Sequence, residues 1–324
     1  DRYIASVSFE VAAYRKPEIE IQLDLSDSEI IAGESVDAIA LVKTYFGFPV
    51  SDQSYTWHLY QKVSYFNLPG YQVGPYSIDW LNPRLPGDSP AGPVVSSGEG
   101  LTDGQGYLEV ELLEENLLTS ENTPGSTNRY TFETTVLDES GFTVSQRETF
   151  LIHPEAFYIG IQPQAYFGNV DEAFDFEILT VDWEKEPLGN IALEATFESI
   201  QWQYEETGDP GYPYSFVPET ELIASASPQT GTDGHARVSF TPPQAGTYQL
   251  TVHSGEAVTQ VVIWVGGSGA AIWPRQSGNQ IRLIPDEENY QPGQIAEIFV
   301  PNPFSDGAKA LITVERGEVM ESRV

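Results

Sequence analysis

The stretch Tyr107-Leu108-Glu109-Val110-Glu111-Leu112 alternates apolar and polar side chains, and this pattern decides the fold. A period of two residues is typical of a β-strand with one buried face and one exposed face. The same alternation returns at residues 7–11, 19–23 and 248–252. With 28 glycines and 23 prolines, the chain has ample turn residues between such short strands. We therefore predict an all-β protein of tandem antiparallel β-sandwich domains, similar to immunoglobulin or fibronectin-III domains.

The composition is that of a folded and strongly acidic protein. Asp and Glu number 48 against 15 Lys and Arg, which gives a formal net charge of −33, and 40% of the residues are hydrophobic. Such a charge repels phosphate backbones and anionic lipid head groups, so we expect no nucleic-acid partner. The sequence has no run of 18 apolar residues, so we expect no direct membrane insertion by this chain.

The chain contains no cysteine. This excludes disulfides, thiolate metal sites, a cysteine nucleophile and a thioester within these residues. It does not argue for a cytoplasmic protein, because exported bacterial proteins also lack cysteine in many cases. The single methionine is Met320, and the chain begins Asp1-Arg2-Tyr3. We therefore expect it to be an internal piece of a longer protein.

Two short elements recur along the sequence. Thr102-Asp103-Gly104 and Thr232-Asp233-Gly234 each precede an alternating strand. We interpret both as turns in which the aspartate accepts backbone N–H groups and the glycine adopts a positive φ. A glycine also precedes a long strand three times, at Gly33, Gly168 and Gly293, with spacings of 135 and 125 residues. These spacings predict the length of one module.

The recurring elements predict the domain limits. Residues 1–14 are expected to be the terminal strand of a preceding domain, 15–153 a first sandwich and 154–267 a second. A partial third domain is predicted at 268–324, after a flexible Gly-Gly-Ser-Gly joint. The third stretch is too short to close a sandwich by itself, so its apolar face is expected to find another partner or to stay loose.

Both complete modules carry an aromatic and proline-rich insertion, at residues 65–94 and 204–216. Insertions of this length are often functional. The alternative, which we favour, is that each insertion folds over an edge of its sandwich and buries its own rings.

No constellation of residues indicates catalysis, a cofactor or a metal. His58, His153, His235 and His253 show no ligand spacing. Close carboxylates are expected by chance among 48 acidic residues, although calcium at an acidic loop stays open. The carboxylate clusters are Asp182/Glu184/Glu186, Glu205/Glu206 and Asp286/Glu287/Glu288. We therefore predict no catalytic, cofactor-binding or metal-binding residue, and no enzyme.

Four stretches resemble one protein family. Residues 9–19 run from a strand into an Arg-Lys-Pro-Glu start, and residues 45–50 have an aromatic-x-Gly-x-Pro-Val pattern. Residues 285–293 look like the start of a further domain, and residues 310–319 look like a domain that leads toward a bait region. The family is the bacterial alpha-2-macroglobulins, and the resemblance spans essentially the whole chain. It implies consecutive macroglobulin-like domains.

Members of this family trap proteinases that cleave a bait segment, and some tether them through a Cys-Gln thioester. The resemblance therefore implies a scaffold fragment of an endopeptidase inhibitor, without the bait region or the thioester. Its implied partners are target proteinases of the full-length protein and neighbouring macroglobulin-like domains. The implied location is extracytoplasmic, in the bacterial periplasm or at the cell surface, with a lipoprotein anchor as one option. The alternatives are a tandem-sandwich surface adhesin or stalk, and carbohydrate-binding accessory modules.

Overall fold

The computed structural model describes residues 18–76, 92–113, 125–138, 141–209, 212–267, 283–285, 290–301, 309–317 and 319–324; residues 202, 204–209 and 212–217 are described by their backbone alone. The regular elements of this described part are all β-strands. The predicted all-β class and antiparallel sandwiches are confirmed.

The described part contains 21 strands. They are β1 (Ile19–Leu25), β2 (Glu29–Ile31), β3 (Val36–Thr44), β4 (Ser54–Ser64), β5 (Gln72–Val73), β6 (Val94–Leu101), β7 (Tyr107–Leu112), β8 (Thr127–Leu137), β9 (Thr143–His153), β10 (Tyr158–Pro163), β11 (Phe167–Asn169), β12 (Phe174–Val181), β13 (Glu194–Asp209), β14 (Tyr212–Ala226), β15 (His235–Phe240), β16 (Gly246–Ser254), β17 (Ala257–Gly266), β18 (Ile284–Pro285), β19 (Ile298–Phe299), β20 (Ile312–Glu315) and β21 (Val319–Arg323).

The chain divides into two compact units. The first unit comprises the described residues of 1–63, 88–122 and 128–153, and the second those of 64–87, 123–127 and 154–324. Residues 64–76 belong to the first predicted domain by sequence, but they lie in the second unit. The predicted limits of 15–153, 154–267 and 268–324 stay a prediction.

The first unit is a sandwich of two sheets. One has the order β1-β3-β7 and the other the order β2-β9-β8-β4-β6. The alternation of β1 places Ile19, Ile21 and Leu23 in the core, where the two sheets share one apolar cluster. The rings of Tyr130 and Phe150 stack in this core with centroids 5.4 Å apart. Burial of each large apolar side chain contributes about 1.5–3 kcal/mol to folding.

The second unit repeats this plan with sheets of order β15-β12-β10-β5 and β11-β17-β16-β13-β14. Phe197 lies at the centre of its core, and its ring stacks with Phe240 and Tyr248 at centroid distances of 5.1 Å each. Strand β5 comes from sequence between β4 and β6 and forms the edge of the first of these sheets.

The last described segments form two small antiparallel pairs, β18 with β19 and β20 with β21. The apolar face expected to lack cover is exposed: Ile295 by 85%, Leu311 by 67% and Val314 by 53%. The strands here are short: β18 and β19 cover two residues each, and β20 covers four.

Candidate functional site

A buried threonine in the first unit forms hydrogen bonds that link two turns. The Thr102 hydroxyl donates to the carbonyl of Val50 at 2.7 Å and accepts the backbone N–H of Gln53 at 3.0 Å. Thr102 is 2% exposed. The turns on either side have positive φ angles, 54° at Asp52 and 82° at Gly106. The buried hydroxyl therefore satisfies one backbone acceptor and one backbone donor of these turns.

The second unit contains an equivalent pair of turns with a buried threonine. Thr230 is also 2% exposed, and its hydroxyl accepts the backbone N–H of Ile191 at 2.9 Å. The positive φ angles recur at Asn190, with 64°, and at Gly234, with 79°. The first turn is thus repeated after 138 residues and the second after 128.

This equivalence corrects the predicted register of the Thr-Asp-Gly repeat. Thr102 corresponds to Thr230 and not to Thr232, since the backbone bond from Gly106 to Asp103 recurs from Gly234 to Gly231. The predicted positive φ at Gly104 is wrong, because Gly106 adopts it. The Thr-Asp-Gly motif lies two residues further along in the second turn, so aligning the two motifs shifts the register by two residues.

The predicted turn role of the two aspartates is confirmed. Asp103 Oδ1 accepts the backbone N–H groups of Gln105 and Tyr107, both at 2.8 Å. Asp233 Oδ1 accepts the backbone N–H of His235 at 3.2 Å. Each carboxylate therefore binds backbone donors of its own turn, as short side-chain acceptors commonly do.

A second type of turn, closed by a side-chain-to-backbone hydrogen bond, occurs three times in the described part. A side-chain oxygen accepts the backbone N–H three residues upstream: Glu34 from Ile31 at 2.9 Å, Glu172 from Asn169 at 3.1 Å and Gln294 from Gln291 at 2.5 Å. The intervening positive φ lies at Gly33, Asp171 and Gly293, with angles of 96°, 62° and 94°.

The prediction of Gly168 as the middle member is therefore wrong. The true spacings are 138 and 122 residues, because Asp171 holds the position that glycine holds in the other two copies. Aspartate tolerates the left-handed region better than most residues. A search for glycine alone misses Asp171. The signal that all three copies share is the next residue, which is Glu34, Glu172 or Gln294.

Residues 66–76, which we call the strap, complete the outer sheet of the second unit. Strand β5 within the strap pairs antiparallel with β10, with Val73 opposite Gly160. Beyond the strand, Gly74 N–H donates to the Thr259 hydroxyl at 2.9 Å, and Tyr76 N–H donates to Gln260 Oε1 at 3.1 Å. The strap is thus held by backbone and side-chain acceptors together.

Apolar side chains of the strap pack against Gly160 of β10. A Cβ atom on Gly160 would lie 2.8 Å from Leu68 Cδ2 and 2.9 Å from Tyr71 Cβ, so the glycine makes room for both residues. The rings of Phe66 and Tyr158 stack with centroids 3.8 Å apart. The described part of the first insertion therefore covers a sheet edge, but this edge belongs to the second unit and not, as predicted, to the sandwich of the insertion itself. Its rings are half-buried, and Tyr65 is 76% exposed.

A polar cluster joins the strap to the outer face of this sheet. Glu177 accepts the Tyr71 hydroxyl at 3.4 Å and lies 2.9 Å from His235 Nδ1 and 3.7 Å from Arg237 Nη2. Burial and the neighbouring Glu177 carboxylate raise the pKa of Tyr71. The tyrosine therefore stays neutral and can donate its hydrogen bond at neutral pH.

The four histidines have different neighbours. His58 packs beside Tyr60, His235 contacts Glu177, and His253 Nε2 lies 3.3 Å from Glu194. His153 is 3% exposed, and burial lowers its pKa to about 4. Within the described residues no three His, Asp or Glu side chains are grouped so as to hold a metal ion.

The acidic clusters have separate positions. Asp182 Oδ1 accepts the backbone N–H of Glu186 at 2.9 Å, so this cluster caps a turn. The side chains of Glu205 and Glu206 and all of residues 286–289 lie outside the described part. An open depression of about 810 Å³ lies beside the Gly33 turn. Its lining includes the carboxylates Asp27, Glu29 and Glu34.

None of the described segments is a helix that could cross a membrane. This statement covers helices of the described part alone.

Comparison with known proteins identifies relatives. Residues 160–266 match the family model for bacterial macroglobulin domain 6. An alpha-2-macroglobulin homolog from Nostoc sp. is 21% identical over 313 residues, which cover 93% of this chain and 16% of that protein. The chain thus spans about one sixth of the length of this curated relative.

Two solved structures share the fold. The native conformation of E. coli alpha-2-macroglobulin is 17% identical with a TM-score of 0.52, over 89% of this chain and 18% of that one. Salmonella alpha-2-macroglobulin reacted with methylamine is 17% identical with a TM-score of 0.50, over 96% and 20%. At this identity the likeness concerns the fold.

Proposed function

We propose that this chain, whose resemblance to the bacterial alpha-2-macroglobulin family is confirmed by these comparisons, is a structural scaffold within a larger proteinase inhibitor. The observation that carries the proposal is the match of residues 160–266 to bacterial macroglobulin domain 6, inside a chain whose turn devices repeat at module spacing.

The geometry favours a framework over a reactive site. The Thr102 and Thr230 networks use buried hydroxyls to bind backbone groups, which makes each turn part of the core. The polar cluster around Glu177 binds the strap to the sheet through the Tyr71 hydroxyl. In this proposal both sets of groups stabilise the shape of their unit.

In this proposal the longer protein inhibits endopeptidases by trapping them, and its target proteinases are the partners of the whole. Neighbouring macroglobulin-like domains are the direct partners of this chain. Its location is extracytoplasmic, in the periplasm or at the cell surface. The support comes from the names of the relatives, which are bacterial alpha-2-macroglobulins or a homolog of them, and from their much greater length.

The test compares this chain with the longer protein that contains it. Each is mixed with trypsin, elastase and subtilisin at equimolar ratio, and cleavage of a large protein substrate is measured. We expect inhibition by the longer protein and none by the isolated chain. Stoichiometric inhibition by the isolated chain would contradict a scaffold role, and no inhibition by the longer protein would contradict its role as an inhibitor.

A control separates a scaffold from a passive spacer. Thr230→Val in the longer protein weakens the turn network, and it should reduce inhibition in parallel with the loss of thermal stability of this module. Thr220→Val, on an exposed strand position, should change neither. Full inhibition with an unfolded module would show that the module is dispensable.

A further inference from the structure

The turn that follows β3 presents three aromatic side chains to solvent. Residues 45–48 form this turn, which we call the aromatic turn. Its rings are exposed by 46% at Tyr45, by 90% at Phe46 and by 69% at Phe48. Isolated apolar residues are common on protein surfaces, whereas a cluster of large exposed rings is typical of an interaction surface.

Hydrogen bonds hold the backbone of the aromatic turn in one conformation. The Gly47 N–H donates to the carbonyl of Thr44, and the Thr44 N–H donates to that of Phe48, both at 2.8 Å. The Thr44 hydroxyl accepts the Phe48 N–H at 3.1 Å, and Gly47 has a φ of 87°. A binding segment therefore meets rings on an ordered backbone, which lowers the entropic cost of the contact.

The equivalent turn of the second unit forms without aromatic residues at its tip. The same three hydrogen bonds and a positive φ, here of 72°, recur within residues 182–186. There Glu184 and Glu186, both exposed, stand where the first unit has Phe46 and Phe48. The conformation of the turn therefore does not require the two phenylalanines, and their presence calls for another explanation.

The chain that enters β1 reaches the first unit beside the aromatic turn. Glu18, directly before β1, accepts the Tyr45 N–H with its carbonyl at 3.3 Å. In the second unit the Trp183 indole N–H donates to the carbonyl of Glu155, three residues before β10, at 3.0 Å. The four residues before Glu18 precede the described part of the chain. They can extend roughly 13 Å from the contact with Tyr45, which is far enough to cover the aromatic turn.

The sequence of these four residues has the chemistry that aromatic rings bind. Residues 14–17 read Tyr-Arg-Lys-Pro, so they contribute one ring, two cations and one proline. Arginine and lysine are attracted to the faces of aromatic rings, and a tyrosine ring stacks on other rings. The second unit contains a contact of this kind, since Lys185 Nζ of its turn lies 5.7 Å from the ring centroid of Phe66.

We propose that the aromatic turn is the docking surface for residues 14–17 of this chain, which cover the rings of Phe46 and Phe48. The contact holds the chain where it enters the first unit, as the hydrogen bond from Trp183 to Glu155 does in the second. This inference does not rest on the proposed scaffold role.

Limited proteolysis of the full chain by trypsin tests the contact, because the Arg15–Lys16 bond lies within the docked segment. Cleavage of this bond is followed by mass spectrometry. We expect Phe46→Gln with Phe48→Gln to accelerate it about tenfold, since the docked state is lost. Tyrosine at both positions keeps the ring faces, so Phe46→Tyr with Phe48→Tyr should stay within about twofold of the wild type, as should the control Tyr65→Gln at another exposed ring. Equal rates in the wild type and the glutamine variant would overturn the proposal.

Photo-cross-linking identifies the segment that covers the turn and keeps a ring at position 46. The probe is p-benzoylphenylalanine in place of Phe46, irradiated in the dilute full chain. We expect a cross-link within one chain to the peptide that contains residues 14–17, and none to that peptide from the same probe in place of Tyr65. A cross-linked dimer would overturn the proposal, since a second copy would then cover the turn. A cross-link to a different segment, or the absence of any cross-link from position 46, would overturn it as well.

Discussion

The two units share their turn networks and differ at the outer edge of one sheet. The pair Ile21 and Val42 in the first unit corresponds to Ile159 and Thr180 in the second, an offset of 138 residues. By the same offset Gln22 corresponds to Gly160. Where the second unit has a glycine that admits the strap, the first has an exposed glutamine, and in the described part its sheet ends at β1.

The comparison shows which parts of a module can vary. The buried threonine and the positive-φ positions recur because they satisfy backbone groups inside the fold. The outward residues carry no such requirement, so each unit has a different surface. At the turn after β3, Phe46 is 90% exposed, whereas the corresponding position after β12 is Glu184.

The largest expected effect comes from Gly160→Val. Its side chain would collide with Leu68 and Tyr71, so the strap must leave β10 or the sheet must distort. We expect a loss of about 2–4 kcal/mol in the stability of the second unit, measured by urea unfolding. The matched change Gln22→Val in the first unit should cost less than about 0.5 kcal/mol. Similar losses at both positions would show that the two edges do not differ in this way.

His153 should make the first unit acid-sensitive. Burial holds its pKa at about 4 in the folded state, below its ordinary value of 6.5, and Glu29 Oε2 is the carboxylate 3.9 Å from its Nε2. Between pH 6.5 and 4 the unfolded chain binds the proton and the folded chain does not, so stability falls as the pH falls. The expected loss is about 3 kcal/mol across this window.

The second unit has Gly266 at the corresponding position, opposite Asn169, as His153 lies opposite Ile31. His153→Gln should remove most of the acid loss in the first unit, and His253→Gln, at a partly exposed site, should not. The free energy of unfolding of both variants, measured from pH 4 to 7, checks this prediction. An unchanged pH dependence in His153→Gln would assign the acid loss to other groups.

The buried threonines test the equivalence of the turn networks. Thr102→Val and Thr230→Val each leave a partly buried backbone N–H without its hydroxyl acceptor, at Gln53 and at Ile191. We expect both to cost about 1–3 kcal/mol and to agree with each other within about 1 kcal/mol. A neutral result at one position and a large loss at the other would refute the register that pairs Thr102 with Thr230.

The smallest effects concern the positive-φ position before the long strands. Gly33→Asp should cost less than about 1 kcal/mol, because Asp171 adopts a φ of 62° at the equivalent place. Gly33→Val should cost more, since a β-branched residue is strained there. Thermal unfolding of the two variants decides the order. Equal melting temperatures would indicate that the Gly33 turn relaxes freely.

The strand positions and the sandwich class follow from the period-two pattern, because alternation such as Ile19, Ile21 and Leu23 determines which face is buried. The register of the repeat could not be read in the same way. Gly104 and Gly234 both follow a Thr-Asp pair, yet the backbone hydrogen bonds show that Gly106 is the residue equivalent to Gly234. The position of Asp171 could not be predicted by a pattern of glycines, because an aspartate adopts the positive φ there. The strap depends on a missing Cβ at Gly160, a contact between residues distant in sequence that no local pattern contains.

Native-state hydrogen exchange of the dilute chain tests the central claim most directly, namely that the strap is an integral strand of the second unit. The account predicts that the backbone amides of Gly74 and Tyr76, which bind Thr259 and Gln260, open with the same free energy as the amides of β10. Exchange at those two amides as fast as in an unstructured peptide, while β10 stays protected, would contradict it.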